Sequence, residues 1–338
     1  MTRKQGGCQP HRTPHLRTPH VSTPHLSTPH LSTPHRLLLI AGAASALVLV
    51  PATVSMAAVP VAATSGQYTT IDVPGAAATI PVGVNDSGVV SGFYADSSGT
   101  DHGFLDRAGR FTTIDVPGAA STFLTVVNDA GVAVGYYTDS AGVAHGFVDR
   151  DGTFTTVDAP GAGTASGQGT FVANMSNAGA IAGFSVDSGG VQHGFIDRGG
   201  RFTPIDDPHA GTASGQGTSV GYINDAGQIT GSYNKSNGDT VAFAGPVGSY
   251  TTVSDPLAPP FSTLTAAIND AGVVVGEYFD ASAVRHGFAE RRGVFTPVED
   301  PAGTGGTNVS GISNRGVIVG FYFDSSGSIH GFELSPAR

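Results

Sequence analysis

The chain contains no tryptophan, and cysteine appears once, at Cys8. Without tryptophan, a platform for stacking a sugar ring has to be built from tyrosine. A single cysteine excludes an intrachain disulfide, so stability must come from core burial and strand pairing. Basic residues are also scarce. Five of the 16 lysines and arginines fall in the first 63 residues, which hold no Asp or Glu, and the remainder carries 11 against 26 acidic residues. That acidic body excludes a nucleic-acid binder, which needs a basic surface to neutralise phosphate. It suits an anionic lipid surface no better. Lys, Glu and Leu are sparse, whereas Gly, Ser, Thr, Val and Ala abound. This balance predicts short strands and turns in place of helices.

Residues 11–35 repeat a five-residue unit: HRTPH, LRTPH, VSTPH, LSTPH, LSTPH. Proline at every fifth position removes amide donors and restricts the residue before it, so residues 1–35 are expected to be disordered. The histidines at 15, 20, 25, 30 and 35 suit a transition metal. A tandem repeat in the underlying DNA, with the true start at a later residue, accounts for them more simply. Arg36 then precedes fourteen uncharged residues, L-L-L-I-A-G-A-A-S-A-L-V-L-V, followed by small residues. Residues 36–63 read as a secretory signal cleaved after Ala57 or Ala63. The run is short of the about 20 apolar residues of a spanning helix, and an uncleaved anchor is the alternative. The expectation is an exported protein, secreted, periplasmic or on the cell surface, with no membrane insertion after cleavage.

From Tyr68 the sequence is periodic, and a period of this length indicates stacked structural units. An Asn- and Gly-containing turn recurs at 85–88, 128–131, 176–179, 224–227, 269–272 and 313–316. H-G-F begins at His102, His145, His193, His286 and His330, and the fourth unit has Val241-Ala242-Phe243 instead. An aromatic segment of the type F-T-T-I recurs at 68–71, 111–114, 154–157, 202–205, 250–253 and 295–298. One unit, taken from Thr122, reads as a β-branched strand, an N-D-A-G turn, a second strand, a D-S-A-G turn, the H-G-F strand, a D-R-D-G turn and the aromatic strand. Pro160 then ends the pairing, because proline cannot donate to a ladder.

Four short antiparallel strands per unit predict an all-β fold for residues 64–338, a six-bladed β-propeller of four-stranded blades. The last unit lacks its aromatic strand, and the surplus segment Tyr68–Ile71 precedes the first. The two are predicted to pair, with residues 68–71 lying against Gly331–Leu334 and closing the C-terminal blade. The strand before N-D-x-G is expected innermost and the aromatic strand outermost.

The H-G-F residues, the Gly131–Tyr137 strand and F-T-T-I-D-V-P-G-A at 111–119 resemble the bacterial extracellular HAF repeat family over residues 68–334. The chain departs from that family's His-Ala-Phe in having Gly at the middle position. The resemblance implies secretion and a propeller-like repeat fold, and it brings no established activity.

The candidate site residues follow from the repeat. His102, His145, His193, His286 and His330 occupy equivalent positions, which favours a packing or hydrogen-bonding device over catalysis. Asp96 and Asp101, in D-S-S-G-T-D, are the candidate calcium ligands, and a plain Asx turn accounts for the Asp-Ser-x-Gly pattern as well. No other cofactor is expected. Tyr136, Tyr137 and Tyr278 are the candidate sugar-stacking residues. Gln168 and Gln216 lie in the identical loops A-G-T-A-S-G-Q-G-T at 162–170 and 210–218, which read first as a duplication and second as paired ligand loops. The functional expectation is a monomeric, non-enzymatic binding or scaffold module whose partner is a glycan or an envelope protein. A polysaccharide hydrolase or lyase working at the channel mouth and a purely structural surface protein are the alternatives.

Overall fold

The computed structural model describes residues 66–337; the five-residue repeats, the export segment and Cys8 lie outside the described residues. Every regular element among the described residues is a β-strand. The second unit shows how the sequence produces them. Ser121–Val127, Ala133–Thr138, Ala144–Arg150 and Thr153–Val157 form an antiparallel meander. Its turns close on their own side chains. Asn128 Oδ1 accepts the Ala130 and Val132 amides, and Asp139 Oδ1 accepts those of Ala141 and Val143, the local bonding that makes Asn and Asp turn formers. The first strand is buried almost throughout and the last is half exposed, so the innermost-to-outermost order follows the predicted one.

The first, third, fourth and fifth units trace the same path, beginning at Ala78, Gly169, Gly217 and Thr263. The sixth runs from Thr307 and ends at its third strand, Ile329–Pro336. Gly66–Ile71 pairs antiparallel with that strand, Tyr68 opposite Leu334 and Ile71 opposite Gly331, so the predicted segments meet. Single parallel pairs link neighbouring units, as between Gly169 and Ala144 or Ala78 and Ile329.

The core is built from an aromatic pair in each unit. The phenylalanine of H-G-F packs on the aromatic residue of the next strand: Phe147 on Phe154 at 5.6 Å, Phe195 on Phe202 at 5.1 Å, and Phe332 on Tyr68 at 5.6 Å. Phe104, Phe147, Phe288 and Phe332 are wholly buried, and each burial contributes about 1.5–3 kcal/mol. Every innermost strand also carries a bulge, as between Leu124 and Val126. The glycine facing it on the second strand has no room for a side chain. A Cβ on Gly135 would meet the Phe123 carbonyl oxygen at 2.0 Å, and the equivalent Gly276 and Gly320 are as tightly placed.

The N-D-x-G turns gather around a common centre and bond to one another in sequence. Asp86 N–H donates to Asp129, Asp129 to Asn177, Ala178 to Asp225, Asp225 to Asp270, Asp270 to Asn314, and Asn314 back to Asp86, each to a side-chain oxygen at 2.7–3.1 Å. Tyr222, from the fourth unit, packs against core residues of three separate clusters at this centre.

Candidate functional site

Each of the five histidines lies between two carboxylates. His102 Nδ1 meets Asp115 at 2.8 Å and its Nε2 faces Asp96 at 3.5 Å. The same arrangement joins Asp139–His145–Asp158, Asp187–His193–Asp206, Asp280–His286–Glu299 and Asp324–His330–Asp72. Four of the rings stack on a tyrosine at 5.0–5.3 Å: Tyr94, Tyr137, Tyr278 and Tyr322. The triad therefore ties the second turn of a unit to the crossover that leads to the next unit. Burial opposes the charge on His102 and His193, but the flanking carboxylates outweigh it and raise both pKa values. For His330 the Asp72 hydrogen bond is the leading cause of the rise. The sequence carried this signal as an acid six residues before each histidine and thirteen residues after four of them, with Asp72 completing the set for His330, which a reading of H-G-F alone passes over.

The fourth unit loses the whole triad. Lys235 stands at the first acid position, Val241 at the histidine and Ser254 at the second acid. A cavity of about 330 Å³ opens there, lined by Val241, Thr252, Ser254, Asp255, Pro256 and Phe261 among others. The outermost strand of this unit shrinks to Thr251–Thr252. A second cavity of about 590 Å³ lies against the same segment and reaches Arg292 and Phe295 of the fifth unit. Phe261 and Leu257, both exposed, project from the crossover, and Lys235 Nζ sits 4.7 Å from the centre of the Phe261 ring.

The tyrosines singled out from the sequence fall in different places. Tyr136 is a core residue and no sugar platform: it is 2% exposed, stacks on Phe123 at 4.6 Å and meets Phe171 edge-on at 5.1 Å. Tyr278 is likewise buried, against His286. Both faces of a second strand are covered by neighbours, so alternation along the strand does not distinguish a buried from an accessible tyrosine. Tyr137 is half buried under His145.

Gln168 and Gln216 pin their own loops. Gln168 accepts the Ala165 amide and donates to the Ser188 carbonyl, and Gln216 repeats this with Ala213 and Ser236. Asp96 spends Oδ1 on Ser98 N–H, Ser98 O–H and Thr100 N–H. The Ser98 hydroxyl, then the Thr100 amide, lower its pKa to about 2. The Asp101 amide donates to Ser121. Among the described residues no group of three or more His, Cys, Asp or Glu converges to hold a metal ion.

The centre of the molecule offers little room where the N-D-x-G turns meet. Tyr222 leaves a cavity of about 50 Å³, against the about 300 Å³ at the low end for small-molecule sites. Burial pushes the Tyr222 phenol up to about 12.

One further departure from the repeat is buried. Glu277 occupies the position of Tyr136 and Phe321, bonds Arg285 Nε at 3.1 Å and accepts from Asn308 Nδ2 at 2.6 Å. The Arg285 guanidinium lies over Phe279 and near Phe321 and Phe323, and its Nη1 has no hydrogen-bond partner among the described residues.

No protein-family model matches the chain, and no curated protein matches it. Solved structures do. A lectin of the fungus Aleuria aurantia, described as a six-bladed β-propeller with a novel fucose recognition mode, aligns with a TM-score of 0.43 at 12% identity, over 81% of this chain and 95% of the lectin. The lectin SapL1, in complex with a methyl fucoside, aligns at 0.46 and 11% identity, over 77% and 96%. TolB of Acinetobacter baumannii aligns at 0.45 and 10%, over 73% of this chain and 63% of TolB.

Proposed function

We propose that this chain is an exported, monomeric six-bladed β-propeller that binds a glycan of the cell envelope or extracellular space at the cleft beside its fourth blade. The cycle of six turn-to-turn hydrogen bonds that returns to Asp86 supports the closed ring, as does the strand shared between the two ends. The reading includes membership of the HAF repeat family and export through residues 36–63. The observation that carries the binding role is a coincidence. The one blade among the described residues that lacks all three members of the Asp–His–Asp triad is a blade against which cavities of about 330 and 590 Å³ lie. Five blades keep a fully bonded framework, and binding residues tend to sit where loops depart from such a scaffold.

An array of extracellular and cell-wall glycans, probed with the purified protein while product release is followed, tests the proposal. Saturable binding without turnover is the expected outcome. Turnover abolished by one substitution in a single blade would replace it with a hydrolase or lyase. Neither binding nor turnover, with gene deletion altering only the cell surface, would leave a structural surface protein.

A further inference from the structure

The fourth unit differs from the other five in charge as well as in shape. Where they place two carboxylates around an imidazole, it places an ammonium, an isopropyl group and a hydroxyl. Lys235 is the only lysine in residues 66–337. Its Nζ makes no ion pair with a carboxylate among the described residues and lies 4.7 Å from the centre of the Phe261 ring. The nearest acid in its own turn, Asp239, is bonded to Asn237 Nδ2. A cation without a counter-ion, on a strongly acidic body, is a point of attraction for an anion.

The walls of the cavity specify the rest of the ligand. Thr240 and Thr263 are already engaged, with Asn234 and with the Asp255 amide. The hydroxyls of Thr252 and Ser254 make no hydrogen bond among the described residues and line the cavity. Asp255 is buried and spends Oδ1 on the Leu257 amide, which leaves Oδ2 to accept from a hydroxyl. Phe261, with Pro256 and Pro260, supplies apolar surface. Phe261 is held at φ 63°, a left-handed conformation that costs an aromatic residue energy and clusters at binding loops. A cation 4.7 Å from the ring centre of the cavity-lining Phe261, free hydroxyls and an acid on the wall, and flat apolar faces together fit one kind of compact molecule.

We infer that this cavity is the subsite for a carboxylated sugar residue, a hexuronate unit of an acidic polysaccharide. Lys235 holds the carboxylate, Phe261 and the prolines carry the C–H face of the ring, and Thr252, Ser254 and Asp255 take its hydroxyls. The inference rests on the glycan-binding reading above and narrows it to a charge class and a site. The volume of about 330 Å³ sets the scale at one or two sugar residues, near the low end of about 300–1,000 Å³ for ligand pockets.

The test uses the purified protein and three probes: oligoglucuronate, the matching neutral oligoglucoside, and acetate as a carboxylate without a ring. Reductive ¹³C-methylation keeps the charge of lysine, and Lys235 then gives one reporter signal in the folded domain. Saturable binding of oligoglucuronate, at least tenfold tighter than either other probe and shifting the Lys235 signal, is expected. The key variant rebuilds the triad with Lys235→Asp, Val241→His and Ser254→Asp. It keeps the parent melting temperature, because five units already carry that triad, and it loses uronate affinity at least tenfold. The single variant Lys235→Met, which leaves the framework untouched, loses a similar factor. Uronate binding that survives in a fully folded triad-rebuilt protein overturns the assignment. Tight binding of the neutral glucoside with no preference for the uronate also overturns it and leaves the glycan-binding reading standing. Absence of binding to every glycan on the array defeats both.

Discussion

The histidines act through their partners. His102, His193 and His330 bond both of their carboxylates only when protonated, and their folded pKa is raised accordingly. A histidine raised above its unfolded value of about 6.5 stabilises the fold fully below that value, and the contribution is lost as pH rises through the folded pKa. Comparing thermal melts of the parent and the His102→Asn, His193→Asn, His330→Asn triple variant isolates this contribution. The parent's advantage is largest near about pH 5.5 and shrinks by about pH 8.5. An advantage that does not change over that range would remove the charge-based account of the triad. The Glu277–Arg285 pair calls for a different experiment, because both groups are largely buried. Glu277→Ala leaves the guanidinium uncompensated beside Phe279 and Phe321, and a loss of about 3–5 kcal/mol is expected in denaturant unfolding. Adding Arg285→Met to it recovers a large part, since an apolar side chain among three aromatic rings needs no partner. The sequence displays both sites only after alignment of the six units. His145 by itself says nothing about Asp139 and Asp158, and Glu277 looks like one more strand residue until its equivalents prove to be Phe93, Tyr136, Phe184, Ser232 and Phe321.

The elements owe their geometry to a bulge and a hydroxyl that recur in each unit. The bulge on the innermost strand brings its backbone against the second strand, and glycine there is a steric requirement. Gly135→Ala is expected to cost about 3 kcal/mol by overpacking, read from the denaturation midpoint. An unchanged midpoint would mean that the bulge relaxes freely. The first or second residue of each innermost strand is a threonine whose Oγ1 accepts an amide of the incoming crossover, from Thr79 with Val73 to Thr307 with Asp300. Thr170→Val strands the buried Ala159 amide, at an expected cost of about 1–3 kcal/mol. Strand existence and order were legible because β-branched runs alternate with Asn, Asp and Gly turns. The threonine bond was not, since T-F-L-T and its equivalents read as strand whichever threonine bonds outward. The loops at 162–170 and 210–218 illustrate the opposite case. Their identity reads first as a duplication and only second as a paired ligand site, and both glutamines bond back to the backbone, Gln168 at Ala165 and Ser188, Gln216 at Ala213 and Ser236. The crossover that does border a cavity, Asp255 to Thr263, has no twin.

At the scale of the whole molecule a chain of repeats has to end without exposing a strand edge. An open stack would leave the edge of Ile329–Pro336 unpaired, a template for association with other chains. Residues 66–71 cover that edge, and the turn cycle through Asn314 and Asp86 bonds the sixth unit to the first. This pairing was legible from a count, because a missing strand at one end and a spare one at the other are visible without coordinates. The turn cycle was not, because the second residue of N-D-A-G looks like turn chemistry and its bond reaches about 45 residues away. The pairing of the two ends makes a direct prediction. Gln67 lies opposite Ser335 in the antiparallel register, and facing Cα atoms in such a pair are about 4.5–5.5 Å apart, within disulfide reach. In a Cys8→Ser background, Gln67→Cys with Ser335→Cys should form an intrachain disulfide under mild oxidation, seen as a two-proton mass loss and faster non-reducing migration. The bond closes a loop of more than 250 residues, so it should raise stability by about 5–6 kcal/mol on the chain-entropy account. Intermolecular disulfides in place of the intrachain one would mean that the two ends exchange between molecules, and an unoxidised pair would mean that they do not meet.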